Sequence, residues 1–122
     1  MDLDELVGKE VSHAIALNDL KTGWLQQVVF QVEGQFVIFS VEADYDEIIC
    51  SIAPELDLNT LGQQFSSTRI SNQRKRISYI WRMTNHQGYE DAVQLEFDDV
   101  ERTNVQLLAE GSQLLFTIFR RH

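Results

Sequence analysis

Apolar and polar side chains alternate through most of this chain, interrupted by short polar turns, and that period of two predicts a protein built from strands. The clearest stretch is Arg76 to Phe97, which turns at Asn85-His86-Gln87-Gly88. Asn suits the first position of a tight turn. Gly suits the fourth, where a left-handed backbone is cheap only without a Cβ, so Gly88 is expected at positive φ. A three-residue loop, His86 to Gly88, sets Trp81 opposite Val93, Tyr79 opposite Leu95 and Ile77 opposite Phe97 on one face. Thr84 with Glu90, Ser78 with Glu96 and Arg76 with Asp98 then face water. A loop of two or four residues would put Tyr79 and Trp81 beside Gln94 and Ala92, so the odd loop is expected.

The same pattern predicts nine strands: Val11–Leu17, Leu25–Val32, Phe36–Ala43, Ile48–Ile52, Phe65–Ser71, Arg76–Thr84, Tyr89–Phe97, Val105–Ala109 and Gln113–Phe119. The pair Leu25–Val32 and Phe36–Ala43 is apolar on both faces, so both faces need cover. Glu110-Gly111-Ser112 reads as a further hairpin turn. Two short helical segments start near capping acids, Asp2 or Asp4 and Asp57, and end at Gly8 and Gly62. The expected fold is mainly β, with α+β at the margin: an antiparallel meander closing into a roll or half-open barrel.

All 122 residues read as one domain. Shifting the chain by 54 residues lays Gly8 on Gly62 and Gly34 on Gly88, which suggests tandem halves, 1–54 and 55–122, on either side of the sole proline, Pro54. The competing explanation is a chance likeness between two hairpins.

Charge divides the chain unevenly. The net value is −9, yet residues 1–60 carry −10 and residues 61–122 carry +1. Such a field disfavours nucleic acid and suits a basic protein partner. There is no apolar run of membrane-spanning length, and the acidic start Met1-Asp2-Leu3-Asp4-Glu5 is unlike a signal peptide. One cysteine, Cys50, cannot form an internal disulfide and reads as a small buried apolar residue. A cytoplasmic location is the expectation.

Candidate chemistry is sparse. Asp44-Tyr45-Asp46-Glu47 and Asp98-Asp99-Val100-Glu101 could offer oxygens to Mg²⁺ or Ca²⁺, but neither has EF-hand spacing. His13, His86 and His122 lie apart, without HExxH or a Cys pair, so no zinc site is expected. No phosphate-binding glycine loop or Gly-x-Ser-x-Gly elbow occurs. No cofactor and no catalytic residue is therefore assigned, and an enzyme is the less favoured class. Asp44, Asp46 and Glu47, with Asp19 or Glu33 nearby, are the candidate partner-binding acids. Arg74, Lys75 and Arg76, in the basic turn Asn72-Gln73-Arg74-Lys75-Arg76, are candidate anion contacts together with Arg82.

The segment Trp81-Arg82-Met83-Thr84-Asn85-His86-Gln87-Gly88-Tyr89-Glu90-Asp91 resembles a W-x-x-T-N-x-x-G-Y-x-D hairpin of small uncharacterised bacterial β-rich proteins. Val41-Glu42-Ala43-Asp44-Tyr45-Asp46-Glu47-Ile48 is similar to the acidic segment such proteins carry. Some of them are similar to immunity proteins, which neutralise a toxin. The resemblance covers about thirty residues and transfers no catalytic residue. It implies a small acidic protein of the immunity or inhibitor kind that covers a basic partner. The alternatives are a metal-dependent enzyme or ligand-binding domain using the acidic loops, and a homo-oligomer, such as a homodimer, built on an exposed apolar strand.

Overall fold

A computed structural model describes residues 3–42, 44–71 and 73–120. Strands form where side chains alternate: β1 Glu10–Asp19, β2 Leu25–Val32, β3 Gln35–Glu42, β4 Glu47–Ala53, β5 Phe65–Ser71, β6 Lys75–Thr84, β7 Glu90–Phe97, β8 Thr103–Glu110 and β9 Gln113–Arg120. Every expected strand is present, with ends shifted by no more than two residues. Ala43, the expected end of the third, lies outside the described residues, as do Asp2, Asn72 and His122.

The strands make one antiparallel sheet in the order β4-β3-β2-β1-β6-β7-β8-β9, with β5 branching from β1. β2 occupies one edge of β1. The other edge is shared, by β5 along Ala14–Asp19 and by β6 at Glu10 and Val11 alone. That two-residue joint lets the sheet fold over. β2 and β3 pack against β9, and β4 packs against β7 and β8, giving two layers. Between them lies a core that includes Val28, Phe30, Val37 and Phe39 from one layer and Val93, Leu95, Val105 and Leu107 from the other.

The sheet is not closed, which corrects the expected roll or half-open barrel. β4 and β9 each have one neighbour and do not pair with each other. Closure is unnecessary because the layers bury each other's apolar faces directly. The helical content is also smaller than expected. One α-helix, α1 Leu58–Gln64, is capped by Asp57, while the first segment, Leu3–Leu6, is only a 3₁₀ turn.

The glycines that the 54-residue shift pairs have different settings. Gly8 follows the 3₁₀ turn at φ +88°, whereas Gly62 lies inside α1. Gly34 shares a two-residue turn with Glu33, both at positive φ, as the tightest hairpins require. Gly88 ends a three-residue loop, at φ +91° as expected. The two hairpins also hold different places: β2–β3 is the middle of its meander, β6–β7 the beginning of the other.

The β6–β7 register is as expected at its ends and slipped in its middle. Thr84 faces Glu90 and Ile77 faces Phe97, but bulges fall between Ile77 and Tyr79 and between Met83 and Thr84. Between them Ile80 meets Leu95, Trp81 meets Gln94 and Tyr79 meets Glu96. Ile77 and Ile80 thus both reach the core, and Tyr79 and Trp81 turn outward. A bulge inserts one residue and re-aims those beyond it. An unbroken period of two cannot place both isoleucines inside.

Candidate functional site

The second apolar face of β1–β3, the one turned away from the core, is covered by the crossover from β4 to β5. This crossover, Pro54 to Gln64, straps over the face because β5 must cross to the far edge of β1. The strap does not pack down fully. A cleft of about 610 Å³ remains beneath it, lined by His13, Ile15, Val29, Gln31, Phe36 and Arg69 from the sheet and by Pro54, Glu55, Leu56 and Leu58 from the strap. Its size is that of an ordinary small-molecule site.

Register explains the floor. Arg69, Ile15 and Val29 lie in one cross-strand row, and His13, Gln31 and Phe36 in the next. One wall is therefore apolar with a cation at its β5 end. The other described arginines are engaged: Arg74 with Glu10 at 3.1 Å, Arg76 with the Gly8 carbonyl, Arg82 with Glu90 at 3.3 Å, Arg102 with Glu96 at 3.8 Å and Arg120 with Glu101. Among the described residues Arg69 alone of the arginines has neither ion pair nor hydrogen bond through its side chain. The side chains of His13, Gln31 and Glu55 have none either. Arg69 is exposed and solvated, and in an acidic protein it is a cation left available beside an apolar wall.

The expected anion contacts do not converge. Arg74, Lys75 and Arg76 reach Glu10, Asp99 at 3.2 Å and Gly8 respectively, and Arg82 lies on β6. Of the candidate acids, Asp44 is exposed, but Asp46 and Glu47 are engaged within the chain. Asp46 accepts from the Ser112 and Gly111 N–H groups at 2.9 and 3.2 Å, and Glu47 accepts from the Glu90 N–H at 3.3 Å. They tie the β3–β4 turn to the β8–β9 turn and to β7. Asp46→Ala is accordingly expected to lower stability by about 1–2 kcal/mol, since two N–H groups lose their acceptor and Ala tolerates φ +49° poorly. Asp44→Ala should stay within about 0.5 kcal/mol. Urea unfolding of both variants, with unchanged m-values, measures the difference.

The second acidic loop is likewise structural. Burial raises the Asp99 carboxyl, but the Thr103 hydroxyl and N–H and the Lys75 ammonium outweigh it and hold the group below the usual carboxylate range. Asp57 is lowered chiefly by the Thr60 hydroxyl, and then by the Thr60 N–H, at the start of α1. Burial pushes the Cys50 thiol up, in keeping with a packing role. Among the described residues no group of three or more His, Cys, Asp or Glu is placed to hold a metal ion. No helix there is long and apolar enough to cross a membrane.

Compared with known families, residues 1–122 match the model of a family of unknown function, DUF6334. The chain belongs to the DUF6334 family. Neither the curated proteins nor the solved structures contain a match to it. DUF6334 membership spans the whole chain, so strap and cleft both lie within the family's extent.

No spacing in the sequence singles out the cleft residues, which come from four strands and a crossover. One signal does point to it. β2 and β3 are apolar on both faces, and the segment after Pro54 is the stretch free to cover the outer one.

Proposed function

We propose that this DUF6334 protein is a ligand-binding protein whose site is the cleft under the strap, and that its ligand is a small amphipathic anion. The observation that carries this reading is Arg69, the uncommitted arginine at the edge of an apolar cleft. A carboxylate or phosphate head on the guanidinium satisfies its donors in fork geometry. An aliphatic or aromatic body then lies along Ile15, Val29, Phe36 and Leu56.

Octanoate tests it, with octanamide as the neutral control. Octanoate should raise the melting temperature by mass action and shift the His13 ring and Val29 methyl NMR signals. Octanamide should do so only weakly. Arg69→Gln should weaken octanoate binding about tenfold or more, the worth of one charge-assisted hydrogen bond, without changing stability by more than about 0.5 kcal/mol. Equal response to acid and amide would sink the anion reading. Absence of any shift at His13 and Val29 would sink the cleft.

A second reading, self-association, is favoured by β9. This strand pairs with β8 without a bulge, and its outer edge is open. Ile118 is opposite Val105 on the core side, yet it is 47% exposed. A long apolar edge of this kind pairs with another strand unless charge or a bulge prevents it. The expected assembly is a two-fold dimer through antiparallel β9 strands. Light scattering should give twice the monomer mass, and Ile118→Lys should return it to the monomer. A monomeric native protein at high micromolar concentration excludes the dimer.

The immunity-like reading, with a basic partner on the acidic surface, draws its support from the −9 charge and the exposed Asp44. The engagement of Asp46 and Glu47 takes two of its three proposed contacts away.

A further inference from the structure

The outward face of β6–β9 is remote in sequence and composition from the cleft. Its middle row runs Trp81, Gln94, Gln106, Thr117 across the four strands. Tyr79, brought out by the same bulge as Trp81, begins the adjacent row. The two rings are 56% and 38% exposed and stack with centroids 5.7 Å apart at 28°.

The polar groups beside them are ordered and electrically balanced. Glu96, only 1% exposed although it is on an outward face, receives the Asn104 amide at 3.2 Å and lies 3.8 Å from Arg102. Gln94 donates to Asn104 at 2.9 Å, which fixes its amide plane and leaves its own carbonyl oxygen free. Neither the Gln106 amide nor the Thr117 hydroxyl has a partner among the described residues. The face thus offers two aromatic rings, a row of neutral donors and acceptors with no unbalanced charge, and beyond that row an apolar one, Met83, Ala92, Leu108 and Leu115.

We propose that this face binds neutral carbohydrate, as a short oligosaccharide. The C–H groups of a pyranose carry slight positive charge and rest against the negative faces of aromatic rings. Its hydroxyls both donate and accept, which matches amides and a hydroxyl better than it matches fixed charges. A single-stranded nucleic acid would also stack, but a chain of net charge −9 repels a polyanion. A protein partner needs an apolar centre, and here the centre is amide and hydroxyl.

The test uses fluorescence of the full chain. It contains two tryptophans, so Trp24→Phe leaves Trp81 as the reporter. Maltotriose, cellotriose and the trimer of N-acetylglucosamine are titrated separately. At least one should change the emission saturably, with a Kd of about 1 mM or tighter. In that background Tyr79→Ala and Gln106→Ala should each weaken binding roughly five- to tenfold, the worth of one ring or polar contact, while circular dichroism stays unchanged. If none of the three sugars binds, the proposal is wrong. It is equally wrong if a sugar binds as tightly to the Gln106→Ala and Tyr79→Ala variants as to their parent. Quenching by a single-stranded oligonucleotide instead would assign the face to nucleic acid.

Discussion

Phe39→Ala is expected to lower stability by about 3–5 kcal/mol, a large fraction of the total for a domain of this size. Phe39 has no exposed surface and meets Phe30 edge-on, with centroids 5.7 Å apart at 83°. It lies on the core face of β3, in a row with Val28 and Cys50. Truncation removes the transfer energy of the ring and leaves a cavity. β-sheet backbone fixed on both sides by β2 and β4 cannot collapse into that space. The contrast that makes this specific is Trp81→Ala, which removes a larger side chain but should cost about 1 kcal/mol or less, because the ring is on the outward face. Urea denaturation of the two variants measures both. Similar losses would mean that the core lies on the other face of β6.

Asn104→Ala is expected to cost about 3 kcal/mol. Asn104 is completely buried, donates to the Glu96 carboxylate and to the Arg102 carbonyl, and accepts from Gln94. Hydrogen bonds to a charged group are worth more than neutral ones, and a buried acceptor stripped of a donor keeps its desolvation cost. Glu96→Gln should be much milder, because a neutral amide in that place needs less solvation. The double variant Glu96→Gln, Asn104→Ala should therefore lose less than the sum of the two single changes. Additive losses would show that the carboxylate and the amide act independently.

How much of this was legible depends on the range of the interaction concerned. Strand positions follow from local alternation and turn chemistry, which is why Gly88 and the Glu110–Ser112 turn are as expected. The middle of the β6–β7 hairpin is different. Alternation alone puts Tyr79 and Trp81 inside, but Ile77 and Ile80 fit the two-layer core only if a bulge separates them. That decision belongs to packing between β7, β8 and the opposite layer, which has no local mark in the sequence. The same applies to Glu96, expected in water and found buried because Asn104 and Arg102 surround it. The open sheet is illegible for a related reason: the two-residue joint between β1 and β6 decides that the sheet folds over, and nothing in Glu10-Val11 or Lys75-Arg76 marks it. The candidate acids stand out in the sequence by charge alone. Asp46 and Glu47 instead answer to N–H groups on remote turns.

The helix in the strap has no buried residue, and Gly62 is in its interior, where glycine costs about 1 kcal/mol relative to alanine. It is retained by its Asp57 cap, by β5 and by one backbone bond from the Leu20 N–H to the Gln64 carbonyl. Its amide protons should consequently exchange with solvent far sooner than those of β2 and β3, through openings that leave both sheet layers intact. The strap residues that line the cleft, Pro54 to Leu58, run only to the first residue of this helix, so its loosening changes how far the strap stands off the sheet and widens a cleft that is already open to solvent.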